Sequence, residues 1–139
     1  MRHLQHKLAV TTSGRGFHEF TGDATRFVRA SGLALGQITV FCRHTSASLL
    51  IQENADPTVL DDLEAFFEKL APEGRGLYRH ENEGPDDMPA HLRAALTQSS
   101  LTIPFAEGAL LLGTWQGIYL FEHRRTPHRR EIILHAMGE

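Results

Sequence analysis

The sequence predicts an α+β fold: a single domain over residues 1–139 with a mostly antiparallel, sandwich-like sheet core and about three helices. Three observations carry that prediction. Segments of period-2 alternation recur along the chain. They are interrupted by a few capped helical stripes, without the regular strand-helix alternation of a parallel sheet. No repeat, low-complexity tract or Gly/Ser linker divides the 139 residues.

Residues 4–12 alternate Leu4, His6, Leu8 and Val10 against Gln5, Lys7, Ala9 and Thr11, as a half-buried strand does, until Ser13-Gly14-Arg15-Gly16 breaks the pattern. Thr21-Gly22-Asp23 is a capping cluster ahead of Ala24, Phe27 and Val28, and Ser31-Gly32 is a stop, which predicts a short helix over about residues 23–31. From Gln37, the residues Ile38, Val40, Cys42 and His44 share one strand face opposite Thr39, Phe41 and Arg43, and residues 45–51 continue as strand after a bend. Asp56-Pro57 reads as N-cap and first helical position. Behind it Val59, Leu63, Phe66, Phe67 and Leu70 form a helical stripe that Pro72 and Gly74 end. Residues 73–89 form a long polar loop, of the kind that carries function or stays disordered. It leads into a helix over about residues 88–97, with Asp87 as N-cap and Leu92, Ala95 and Leu96 on its buried side. Strands follow at 99–104, 109–113, 116–123 and 130–136, with Ala106-Glu107-Gly108 as a hairpin turn.

Composition narrows the function. A 41% hydrophobic fraction and 22% charged fraction are those of an ordinary globular domain. No stretch approaches the roughly 20 apolar residues of a membrane span. The first residues, Met1-Arg2-His3-Leu4-Gln5-His6-Lys7, have no apolar core behind their positive charges, and Cys42 is the only cysteine, so the expected compartment is the cytoplasm. The net charge of −3 argues against a nucleic-acid or membrane-surface partner. There is no P-loop, dinucleotide-binding glycine motif or CxxC pair. Nine histidines stand out.

The densest chemistry lies in residues 78–91, which hold His80, Glu81, Glu83, Asp86, Asp87 and His91. Asp87 and His91 are one helical turn apart, so a carboxylate and an imidazole project together, with His80 free to fold back from the loop. Two ligands of a zinc-type site could come from here and a third from elsewhere. A solvated acidic loop with ordinary capping accounts for the same residues, since no compact motif such as HExxH is present. His44 closes an apolar strand face and is followed by Thr45, Ser46 and Ser48. It reads either as a core histidine or as a third ligand, with the hydroxyls binding phosphate oxygens or orienting the ring. Cys42 reads as core. Thr114 and Gln116 share strand parity with Glu122, yet Gln116 and Glu122 stand about 20 Å apart along an extended chain and cannot touch one small ligand unless Gly113 or Gly117 bends the chain. The basic run Arg124, Arg125, His128, Arg129 and Arg130 reads as a solvated loop or as an attractor of anions.

The strings His44-Thr45-Ser46-Ala47-Ser48-Leu49, Glu53-Asn54-Ala55-Asp56-Pro57, Glu83 to His91 and Gly113-Thr114-Trp115-Gln116-Gly117-Ile118, with Glu122-His123-Arg124 after them, together resemble the YjbQ-like family, which carries the label secondary thiamine-phosphate synthase. The likeness spans nearly the whole chain. It implies a homotrimer with a histidine-lined, metal-containing pocket that takes a small anionic substrate. His44, His80 and His91 correspond to the metal ligands, for zinc, or for magnesium where pyrophosphate is bound. Asp86, Asp87 and Glu122 correspond to acid/base or supporting groups, and Thr114 and Gln116 to the pocket lining. From the residues themselves, Arg124 or Arg43 is the candidate anion-attracting group, and Thr45 and Ser46 are candidates to bind substrate phosphate oxygens. Gln98, in place of a glycine, and Thr126-Pro127-His128, in place of a more glycine-rich turn, depart from the pattern. The activity implied is condensation of a thiazole phosphate with an aminopyrimidine pyrophosphate. The alternatives from the residues are a metal-dependent hydrolase of a small substrate and a non-catalytic metal-binding trimer.

Overall fold

In the computed structural model, which describes residues 1–139, the chain runs β1 (Arg2–Thr11), β2 (Gly16–Glu19), α1 (Thr21–Ser31), β3 (Leu35–Cys42), β4 (Ala47–Glu53), α2 (Pro57–Leu70), α3 (Asp87–Leu96), β5 (Ser100–Ala106), β6 (Ala109–Leu110), β7 (Gln116–Glu122) and β8 (Arg129–Gly138). Every strand pair is antiparallel. The strands form a five-stranded sheet in the order β1-β8-β3-β5-β6 and a three-stranded sheet in the order β2-β7-β4. Alternate residues of both sheets turn into one core. Ile38, Val40, Ile103, Phe105, Ile132 and Leu134 come from the larger sheet, and Ala47, Leu49, Ile118 and Leu120 from the smaller. Helix α1 adds Ala24 and Val28 to the same core. Cys42 is buried there, its thiol 3.5 Å from the Ala47 carbonyl, and burial pushes its pKa up.

Strand β7 is central to the small sheet and buried on both faces from Gly117 onward. Its second face is covered by aromatic packing: Phe121 stacks on Phe17 at 4.1 Å and meets Phe67 of α2 edge-on at 5.3 Å. The β5–β6 turn places Glu107 (φ 53°) and Gly108 (φ 71°) in left-handed conformation, as a tight hairpin requires. Gly36 and Gly138 face each other across β3 and β8. A Cβ on either would lie 2.1 Å from a backbone carbonyl oxygen of the other strand's neighbourhood, so only glycine fits this approach.

Several boundaries differ from the sequence reading. The Ser13-Gly14 break is followed by β2, a four-residue strand too short to show alternation. Helix α1 begins at Thr21 behind Phe20, without a side-chain cap. The cap of α2 is as predicted, Asp56 accepting from the Thr58 amide at 3.0 Å. Only Phe67 of its stripe is fully buried, while Phe66 and Leu70 are exposed. The N-cap position of α3 belongs to Asp86, and Asp87 is the first helical residue. Strand β6 stops at Leu110, well short of Gly113.

Candidate metal centre

The residues 71–86 between α2 and α3 return the chain so that His80 meets the first turn of α3. Asp87 and His91 share one face of α3, four residues apart. His80 Nε2 lies 2.7 Å and His91 Nε2 3.1 Å from the same oxygen, Asp87 Oδ2. The ligand atoms of the three residues all lie within 4.8 Å of one another. His91 Nδ1 is 3.1 Å from the Thr45 carbonyl. A carbonyl only accepts, so Nδ1 carries the proton and Nε2 is the atom offered toward Asp87.

The carboxylates beneath are held by arginine. Arg124 donates from Nη1 to Asp87 Oδ1 at 2.7 Å and from Nε to Asp86 Oδ2 at 3.0 Å, while Nη2 reaches the Glu83 carbonyl at 2.8 Å. The Arg125 amide adds a bond to Asp86 Oδ2 at 3.0 Å. Burial opposes ionisation of both aspartates. At Asp87 the His80 hydrogen bond and the charges of His91 and Arg124 outweigh it, and at Asp86 the bonds from Arg125 and Arg124 do. Both are held below the ordinary carboxylate value and stay charged. An exposed and a half-buried imidazole over a buried carboxylate are the kind of mixed N/O donor set that suits zinc. Beside His80 opens a cleft of about 380 Å³, lined also by Arg75, Tyr78 and Glu81.

Other residues named from sequence stand elsewhere. His44 lies just past β3, where its Nε2 accepts the Glu131 amide at 2.7 Å and its Nδ1 is 3.4 Å from Arg130 Nη1. Burial, then the Arg130 charge, lowers its pKa. A ring nitrogen already bonded by the main chain and a neighbouring guanidinium leave poor room for a cation, so Asp87, and not His44, completes the three-ligand group. Glu122 faces the sandwich interior and is fully buried. Its oxygens accept from Thr12 Oγ1 (2.8 Å), Arg130 Nε (2.8 Å), Arg130 Nη2, and the His123 and Arg124 amides. It therefore anchors the chain that presents Arg124 and has no lone pair to spare for substrate. Ser46 is taken up by Arg130, which donates to its Oγ at 3.0 Å. Thr45 contributes its carbonyl to His91. Arg43 pairs with Glu131 on the surface at 2.9 Å. Thr114 and Gln116 are exposed at the opposite end of β7 from Glu122, where Gln116 Oε1 accepts the Gly113 amide.

Arg130, read from sequence as part of a solvated or anion-attracting basic run, is instead buried against Glu122. It has the same strand parity as Ile132, Leu134 and Ala136, so an arginine on an apolar face was the available signal. Neither Arg124 nor Arg130 is a solvated loop residue.

The fold and this cluster define a small two-sheet α+β protein with a His-Asp-His group locked by arginine. The chain belongs to the YjbQ-like family: the family profile described as UPF0047 protein YjbQ-like matches residues 6–139. A UPF0047 protein of Synechocystis sp. is 54% identical over 138 residues, covering 99% of this chain and 94% of the relative. The UPF0047 protein YjbQ of Escherichia coli O157:H7 is 40% identical over 136 residues, covering 97% and 98%. Among solved structures, an uncharacterized conserved YjbQ/UPF0047 protein of Clostridium acetobutylicum superposes with a TM-score of 0.87 at 37% identity, covering 95% of this chain and 99% of that one. A hypothetical protein of Aeropyrum pernix K1 gives 0.88 at 28% identity, covering 98% and 99%.

Proposed function

We propose that the chain is a divalent-metal enzyme acting on small phosphorylated substrates, with condensation of the thiamine-phosphate synthase type as its reaction. The observation that carries the reading is the convergence of His80, Asp87 and His91, with His80 also lining a cleft that holds Arg75. In that reaction a ring nitrogen of the thiazole phosphate forms a bond to the aminopyrimidine methylene carbon while the carbon–oxygen bond to pyrophosphate breaks. A divalent cation held by the three side chains would supply neutralisation of the departing pyrophosphate. Arg124 offsets the charge of Asp86 and Asp87, so the carboxylate pair does not repel an anion entering the cleft. Arg75 lines the cleft and offers a guanidinium to a phosphoryl group, and Tyr78, tied by its hydroxyl to the Pro72 carbonyl at 2.7 Å, fixes the opposite wall.

The hydrolase reading is less well supported. It asks Asp87 or Glu122 to take a proton from water, whereas Glu122 is saturated by Arg130, Thr12 and two amides, and Asp87 is held by Arg124 and would be engaged by the ion itself. The proposed assembly is a homotrimer. It finds support in exposed apolar side chains, Leu35 and Phe41 on the larger sheet and Leu111 and Trp115 in the loop that carries Thr114. Incubation of the metal-loaded protein with both precursors is expected to yield thiamine phosphate and pyrophosphate, and His80→Ala to abolish the yield. Absence of product from the metal-loaded protein would overturn the reaction assignment.

A further inference from the structure

Seven buried side-chain nitrogen and oxygen atoms lack a hydrogen-bond partner, and all belong to Arg15, Glu64, Glu73, Arg93 and His123. They are not scattered. Arg15, Glu73 and Arg93 line one cavity of about 220 Å³, bounded by the end of α2, by α3 and by the β1–β2 turn. The charges of the two arginines act on Glu64 and on His123. Arg93 is only 1% exposed, and neither its Nε nor its Nη1 has a partner. Arg15 is equally unsatisfied at Nε and Nη2, the latter 3.9 Å from Glu73 Oε1, too far for a hydrogen bond. Buried donors in native structures are almost always paired, so the group as a whole calls for an occupant other than protein.

The unpartnered donors indicate which occupant. Glu73 gives its other oxygen to Arg125, which neutralises it. Glu68 is exposed at the rim, where solvent screens it. Burial raises the Glu64 pKa, against the lowering pull of the Arg93 and Arg15 charges. Arg15 and Arg93 thus bring four unpartnered buried nitrogen atoms to the chamber, with Glu64, Glu68 and Glu73 as the carboxylates whose charges act on Arg93. Planar guanidinium forks are suited to tetrahedral and carboxylate-like oxyanions. Arg93 is two residues beyond His91, about 200° around the helix, so α3 separates this chamber from the metal cluster.

We propose that the Arg15–Arg93 chamber binds a small oxyanion of the phosphate class, at a site distinct from the His80-Asp87-His91 centre. Calorimetric titration of the metal-free protein with inorganic phosphate, and separately with glycerol phosphate, tests it, with the two ligands distinguishing a free anion from a phosphoryl group. Saturable binding is expected, weakened at least about tenfold in Arg15→Gln and Arg93→Lys by loss of bidentate contacts, and unchanged in His80→Ala. Arg15 sits on a turn, so Arg15→Gln reports on binding even where an Arg93 variant folds poorly, and its melting curve without phosphate checks the fold. Absence of saturable binding to the unaltered protein overturns the proposal, as does binding retained in both arginine variants or lost in His80→Ala. A phosphate-soaked crystal in which only water bridges the two guanidiniums overturns it as well.

Discussion

Glu122 and His123 are consecutive residues at the end of β7, pointing to opposite faces, and both make the fold acid-sensitive for different reasons. At Glu122 burial opposes ionisation, but the bonds from Arg130 and Thr12 prevail and hold its pKa below the ordinary 4.5. Its stabilisation is full above pH 4.5 and is lost as pH falls through the depressed folded value. Glu122→Gln leaves Arg130 buried without its partner, and a loss of about 3 kcal/mol is expected in chemical denaturation at pH 7. His123 is buried neutral, with Nε2 2.8 Å from Ser48 Oγ. Burial, then the charges of Arg93, Arg130 and Arg15, lowers its pKa to about 3. Below pH 6.5 the unfolded ring takes up a proton that the folded one refuses, so stability falls toward pH 3, by about 1.4 kcal/mol per unit at most. Denaturation of His123→Gln across pH 4–7 is expected to show a flatter acid limb, and an unchanged slope would count against this origin. The parity of β7 already told from sequence that the two residues face apart. Their partners were not legible: β4–β7 pairing brings Ser48 to His123, while Thr12 and Arg130 reach Glu122 only because the two sheets pack face to face.

At the scale of elements, the sequence was most informative where one residue type can do the job. Asp56-Pro57 announced the start of α2, and the cap is there. Asp56→Ala is expected to lower the thermal unfolding midpoint through loss of the bond to the Thr58 amide. The reading failed where tertiary contact competes with local rules. Asp86 and Asp87 both suit a helix start, but Arg124 and Arg125 claim the Asp86 carboxylate, so the N-cap lacks its side-chain bond. Phe66 and Leu70 fall on the apolar stripe of α2, yet the helix rests mainly on Phe67 against Phe121. The facing glycines of β3 and β8 carry no local signal, though they fix how closely those strands approach. Gly138→Ala drives a Cβ against the Leu35 carbonyl and is expected to lower stability by about 2 kcal/mol or more, read as a fall in the urea midpoint.

For the molecule as a whole, the two sheets act as a frame that brings residues from distant parts of the chain to one end. Thr45 after β3, His80 in the long connection, Asp87 and His91 on α3 and Arg124 after β7 meet within a few ångströms. Part of that convergence was legible, since the spacing of Asp87 and His91 places both on one helical face. The choice between His44 and Asp87 as the third ligand was not, because it depends on the Glu131 amide reaching His44 across β8. No helix is long and apolar enough to cross a membrane. A metal bound only by the folded state raises stability by about 2.7 kcal/mol at a hundredfold excess over its dissociation constant. Zinc is therefore expected to raise the melting temperature of the unaltered protein and of His44→Ala, but not of His91→Ala.

Whether His80, Asp87 and His91 hold a metal is decided by elemental analysis of the purified protein beside its variants. One divalent ion per chain is expected in the unaltered protein and in His44→Ala, with loss of that ion in His80→Ala, His91→Ala and Asp87→Asn. Undiminished metal in those three variants, or loss confined to His44→Ala, would contradict that assignment.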